Sequence, residues 1–189
     1  MLVEDLLGKN SSLGVRDTQI LKTHCSQFIH ESAGLPLFKA LPATYSDLHR
    51  VKVRMQKKTS LVSEAFNQAF NDFYNLRQRA IFAYATPPAL TEGTDSFYVF
   101  PVDGYKFLYS KAVTNSGQDY QQVVDTLIEK VDDISKATDI VTDLLKYSYT
   151  SENLHEGIVS ESEIILYGIP QYYVVRVSAC QNYARLILR

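Results

Sequence analysis

The chain has no tryptophan, and its 189 residues include only two cysteines, two methionines and eight glycines. Cys25 and Cys180 have neither the number nor the spacing of a disulfide framework or a zinc site, and the four histidines stand apart, so no metal site is expected. No apolar run approaches the roughly 20 residues that a membrane span needs, so no membrane is expected among its partners. The first residues, Met1 to Leu7, carry early acids and no basic stretch, which does not read as a secretory signal. A reducing, cytoplasmic location is the expectation. A phosphate-binding loop, a glycine-rich dinucleotide turn and a serine elbow are all missing.

What remains is an ordinary globular composition, 46% hydrophobic and 21% charged, with enough length for one domain. The formal net charge of -2 conceals an uneven distribution. From Asp119 to Glu163 there are 11 acids against three lysines, a local charge of -8, so the rest of the chain carries +6. The sharpest basic stretch runs from His49 to Lys58, with five positive charges in ten residues. It suits phosphate, on a nucleic acid or a nucleotide cofactor, or else a solvated edge strand whose lysines block aggregation.

The spacing predicts a helix capped by Asp17 or Thr18, with Ile20, Leu21, Cys25, Phe28 and Ile29 on one face and Gly34 as its stop. An extended piece follows over Leu35 to Leu41, and Val51 and Val53 alternate with Lys52 and Arg54 as in a strand with one wet face. A second helix is expected from Ser60 to Phe73, then a strand over Ala80 to Tyr84 and a loop to Gly93. Strands at Phe97–Phe100 and Tyr105–Tyr109 read as a hairpin through the Asp103–Gly104 turn. An acidic helix carries Tyr120, Val123, Val124, Leu127, Ile128 and Val131 on its apolar face, with Asp125, Glu129, Asp132 and Asp133 opposite. Another helix covers Asp139 to Tyr147. Strands return at Ile164–Tyr167 and Tyr172–Val177, and Arg185 to Arg189 suit a closing strand. The order points to an α+β fold in a single domain, with residues 1–34 as a helical N-terminal extension.

Cys25 and His24 are adjacent on a predicted helix and point apart, so a structural thiol is expected rather than a nucleophile. Glu161 and Glu163 are two apart at the start of an apolar strand, so both carboxylates are expected to project together. Such a pair can hold a sugar hydroxyl and stabilise positive charge as a glycosidic bond opens. The plain alternative is a pair of solvated acids.

Arg54 with Lys57 and Lys58, the Phe66–Phe70–Phe73 helix, and Arg79-Ala-Ile-Phe-Ala-Tyr-Ala-Thr86 come in an order that resembles small bacterial and phage proteins of the ADP-ribosyltransferase-like superfamily. The likeness continues through Tyr98-Val-Phe-Pro-Val-Asp-Gly-Tyr-Lys-Phe-Leu-Tyr-Ser110 and Val113, and closes with Glu161-Ser-Glu163-Ile-Ile-Leu and Tyr172-Tyr-Val-Val175. It spans residues 35–177. The resemblance implies two small, mainly antiparallel sheets forming a split core around NAD, with N-terminal and mid-chain helices. It implies a basic first-motif residue, Arg54 by preference, with Lys39 or Arg79 as rivals. Tyr84 and Thr86 would be the polar members of the second motif. Glu163 would be the catalytic glutamate and Glu161 would orient the acceptor. The implied function is NAD-dependent mono-ADP-ribosyl transfer to a host macromolecule, with a host protein as the partner and the host cytoplasm as the setting if the chain is phage-encoded. The Ser-Thr-Ser triplet of the second motif and the His-Gly or Arg-Gly pair of the first are missing. That leaves an inactive protein of the same fold that binds and inhibits a host partner, and, third, a nucleic-acid-binding protein working through His49 to Lys58.

Overall fold

The computed structural model describes residues 13–57, 60–71, 73–130, 133–180 and 182–188. Lys58, Val131, Asp132, Arg189 and the Met1 to Leu7 stretch lie outside the described residues. The fold is α+β, and every strand pairing is antiparallel. In chain order the elements are α1 (Val15–His24), α2 (Ser26–Glu31), β1 (Phe38–Pro42), β2 (Leu48–Lys52), α3 (Leu61–Ala69), α4 (Leu76–Arg79) and β3 (Ile81–Tyr84). There follow β4 (Thr94–Pro101), β5 (Lys106–Tyr109), α5 (Ser116–Ile128), α6 (Ile134–Ser148), α7 (Leu154–Val159), β6 (Glu163–Tyr167), β7 (Gln171–Arg176) and α8 (Tyr183–Leu188).

The seven strands lie in the order β2-β7-β4-β1-β3-β6-β5. A single register pair, Phe38 with Tyr84, joins β1 to β3, whereas β1 pairs with β4 through five. The expected pair of small sheets is instead one seven-stranded sheet, in which the join between the half β2-β7-β4-β1 and the half β3-β6-β5 rests on that one register pair. The chain passes from β6 to β7 through residues 168–170 alone. Four chain steps reach at most about 14 Å, but strands four places apart in a flat sheet are about 19 Å apart. A flat sheet is excluded, so the halves turn toward each other.

Two apolar clusters hold the halves. One joins Ile81, Ala83, Ile164 and Leu166 of the three-stranded half to Phe97, Val99, Val174 and Val175 of the other, and takes in α1, α2, α7 and α8. The other lies on the opposite face of β3-β6-β5, where Leu108, Ile165 and Tyr167 meet Phe66 of α3, Val124 of α5 and Val141 and Leu145 of α6. The alternation along β6 sends Ile164 and Leu166 one way and Glu163, Ile165 and Tyr167 the other. Gly157 is needed where α7 crosses β5 and β6, because a Cβ there would lie 2.8 Å from the Tyr109 ring.

Several sequence expectations change. The first helix breaks at Cys25 into α1 and α2, because Asp103 supplies the caps from a distance. Its carboxylate accepts from the Gln27 N–H and the Ser26 hydroxyl, both 2.8 Å away, while its N–H donates to the His24 carbonyl. Asp17 is no N-cap: it sits inside α1 and accepts from the Gly14 N–H at 2.9 Å. The Asp103–Gly104 turn is not a hairpin, since β4 pairs in one half-sheet and β5 in the other. That turn serves to anchor the N-terminal helices instead. The second helix stops at Ala69, leaving Phe73 outside it to pack on Tyr167. The expected closing strand is the helix α8, whose Tyr183, Leu186 and Ile187 recur at helical spacing and enter the first cluster. The acidic helix forms as α5, and Ser60 caps α3 by accepting from the Ser63 N–H.

Candidate functional site

β3 ends and β6 begins at the seam. Tyr84 pairs with Phe38 on one side and with Glu163 on the other, so the side chains of Tyr84 and Glu163 share a face. Glu163 is 2% exposed. One carboxylate oxygen accepts from the Tyr84 hydroxyl at 3.2 Å, and the other from the Ser116 N–H at 3.2 Å. Ser116 is the first residue of α5, so the carboxylate sits against the partial positive charge of a helix start. Asn115 caps the same turn by accepting from the Gln118 N–H.

Two cations complete the cluster. Arg77 of α4 donates to the Ser116 hydroxyl at 2.8 Å, with its guanidinium over the Phe66 and Phe82 rings at 4.7 and 4.8 Å. Lys39 of β1 reaches across the seam and donates to the Phe82 carbonyl at 2.8 Å. Burial pushes the Lys39 ammonium down from its ordinary range, and the Glu163 charge opposes that shift. Burial likewise lowers Arg77, against the charges of Glu163, Tyr149 and Tyr84. Tyr84 is pushed up to about 12, first by burial, then by the charge of Glu163 and the hydrogen bond to it, while Arg77 pulls the other way. Tyr149 is raised for the same leading reasons, burial and Glu163. Its hydroxyl lies near Ser116 without the geometry of a hydrogen bond. The chemical character is a buried carboxylate held by a tyrosine hydroxyl and a helix-start N–H, with two half-buried cations nearby.

The other candidate residues go elsewhere. Glu161 is exposed and stands in the turn between α7 and β6 with φ 56°, its N–H bonded to the Ile158 carbonyl. The expectation that Glu161 and Glu163 project together from an extended start is therefore corrected: the left-handed turn sends one carboxylate to the surface and leaves the other inside. Thr86 is exposed in the loop beyond β3. Arg54 is exposed past the end of β2, and no contact brings it to Glu163. Arg79 is exposed at the end of α4 and lines a cleft of about 480 Å³ with Val53, Met55, Phe73 and residues 168–170. That cleft adjoins Gly168, five residues along β6 from Glu163, or about 16 Å. Ile165 and Tyr167 fill the intervening face.

Cys25 is fully buried, bonds weakly to the Phe100 carbonyl, and is pushed up to about 12 by burial and by the Asp103 charge, so its thiol is structural. Among the described residues no three side chains of metal-ligating type cluster. Sequence reasoning missed Ser116 and the role of Arg77. Asn115 before an apolar-periodic segment was a readable cap, but nothing local ties Arg77 to a serine 39 positions on. No protein-family model, curated protein or solved structure matches this chain.

Proposed function

We propose that this chain is an NAD-dependent mono-ADP-ribosyltransferase acting on a host macromolecule, with Glu163 as the carboxylate that faces the reacting ribose. One observation carries the reading. Lys39, Tyr84 and Glu163, which stand for the first, second and third motifs of the ADP-ribosyltransferase-like resemblance, come from the adjacent strands β1, β3 and β6 and meet where the two half-sheets part. Lys39 rather than Arg54 is the first-motif cation in this reading, because Arg54 is exposed beyond the end of the outer strand β2. Lys39 and Tyr84 are half-buried, so a ligand meets them before Glu163.

In the reaction the bond between nicotinamide and the ribose carbon breaks, and nicotinamide leaves with the electron pair. The positive charge that builds on the ribose is stabilised by the Glu163 anion, held in place by Ser116. A lone pair of the acceptor then closes the new bond to the same carbon, and the acceptor's proton passes to water. For a ribose hydroxyl to reach Glu163, the Tyr84 hydroxyl must release its bond, so Tyr84 acts as the gate. Glu161, on the surface beside β6, meets the acceptor. The setting is the cytoplasm.

A second reading is favoured by the 2% exposure of Glu163 and the protein donor on each of its oxygens. In that reading the cluster braces the seam, and the chain acts by binding a host protein. Incubation with NAD labelled on its adenylate half, in host lysate, separates the two. The transferase should label a macromolecule and release nicotinamide, and Glu163→Gln should lower both by roughly 100-fold or more with the near-ultraviolet dichroism unchanged. Labelling that persists in the variant ends the catalytic assignment. No nicotinamide from the native protein selects the bracing reading.

A further inference from the structure

The helix α6 has two apolar faces. Its inner one, Ala137, Val141 and Leu145 with Thr138 and Thr142, is buried. On the outer one Ile140, Leu144 and Tyr147 are 41%, 45% and 94% exposed. At about 100° per residue their spacings of four and three bring them into one stripe about 60° wide, turned about 130° from the middle of the buried face. Half of the ten large apolar side chains that are exposed among the described residues lie between Ile128 and Tyr147, so such surface is concentrated on the α5–α6 pair rather than scattered. Water is a poor neighbour for the stripe. A spacing of four and then three is the seam that one helix presents to another.

Charge decides what kind of helix fits. Residues 116–148 hold seven acids against three lysines, with no arginine or histidine. On α6, Asp139 and Asp143 are exposed along one border of the stripe. Asp143 pairs with Lys146 at 3.7 Å, and Lys136 stands in line with the stripe, so the two lysines of α6 do not outweigh Asp133, Asp139 and Asp143. A second copy laid on the stripe would bring the same excess of acid and be repelled. The stretch from Met1 to Leu7 has apolar residues to offer, but it carries Glu4 and Asp5 and no lysine. An anionic lipid surface is repelled likewise. A helix whose apolar ridge is flanked by lysine or arginine satisfies the stripe and its border together.

We propose that the Ile140–Leu144–Tyr147 stripe of α6 docks a basic amphipathic helix of another protein, with that helix's apolar ridge on the stripe and its cations beside Asp139 and Asp143. The surface lies on the outer side of α6, whose inner residues Val141 and Leu145 pack in the second cluster with Ile165. It rests on neither reading of the Glu163 cluster, and holds for a transferase and for a binding protein alike.

The test is fluorescence anisotropy of the full chain with a labelled leucine–lysine amphipathic peptide of about 18 residues, long enough to form a helix. Two control peptides have the same composition in scrambled order, or glutamate in place of lysine. The ordered leucine–lysine peptide should bind, with an affinity that falls as salt rises. Leu144→Ser with Tyr147→Ser should weaken it about tenfold or more, with the melting temperature unchanged because both positions are exposed. Asp139→Asn with Asp143→Asn should weaken it less and reduce its dependence on salt. Glu163→Gln should leave it intact. Absence of binding at low salt, equal binding of either control peptide, or indifference to the Leu144 and Tyr147 pair overturns the proposal. Dimerisation of the chain that the same pair abolishes also overturns it, because a second copy would then cover the stripe.

Discussion

The seam and the β2 edge both carry cations, but they treat them differently. At the seam Lys39 and Arg77 are half-buried, and each hydrogen-bonds an oxygen while the buried Glu163 supplies the opposing charge. At the edge Arg50, Lys52 and Arg54 are exposed and form no ion pair among the described residues. The difference is dielectric. A buried charge without a partner costs several kcal/mol, so the interior must complete its network, whereas water tolerates an open row. Removing a cation from the edge should therefore cost the fold little, and removing a member of the seam network should cost it more.

The sharpest way to break the comparison is Glu163→Ala. It leaves Lys39 and Arg77 in the interior with no counter-charge and removes the acceptor from Tyr84 and Ser116, and should cost about 3–5 kcal/mol, read from denaturant midpoints. A loss no larger than that of an edge substitution would mean the seam is wetter than its burial indicates. Next comes alkaline pH. Tyr84 titrates near 12 in the folded chain against 10.0 in its ordinary state, and Tyr149 is shifted in the same direction. Between those values the unfolded chain has lost protons that the folded chain keeps. Stability is thus fully present below about pH 10 and should fall as pH rises toward 12. Urea midpoints across that interval check this, and a flat profile would refute the shift. The smallest effect belongs to the edge: Arg50→Ala, Lys52→Ala and Arg54→Ala should each change stability by no more than about 0.5 kcal/mol.

Much of the local structure was legible. Val124 and Tyr120 on α5 announced themselves by spacing and β6 by its apolar run, because one buried face imposes a period on its own segment. The helix α6 was expected over Asp139 to Tyr147, where it runs from Ile134 to Ser148. The strand at Val51 was readable as a charged edge. The α+β class followed from the order of such segments. Errors gathered where a distant group intervened. Asp103 divides a helix that its own residues would continue, and α8 takes helical form where a strand was expected because Tyr183, Leu186 and Ile187 have a core to enter. At the candidate site Glu163 was nameable from its pairing with Glu161, and Tyr84 and Lys39 only through the family resemblance, which left the choice of Lys39 over Arg54 open.

Residue order settled most of the helices and strands and which of their faces were apolar, since those properties depend mainly on neighbours three or four positions away. Three-dimensional packing decided that β4 and β5 part into different half-sheets, that Glu161 meets water while Glu163 does not, and that Arg77 finds Ser116. These outcomes depend on which surfaces exclude water together. That exclusion is a property of contacts between remote segments, so no local pattern encodes it.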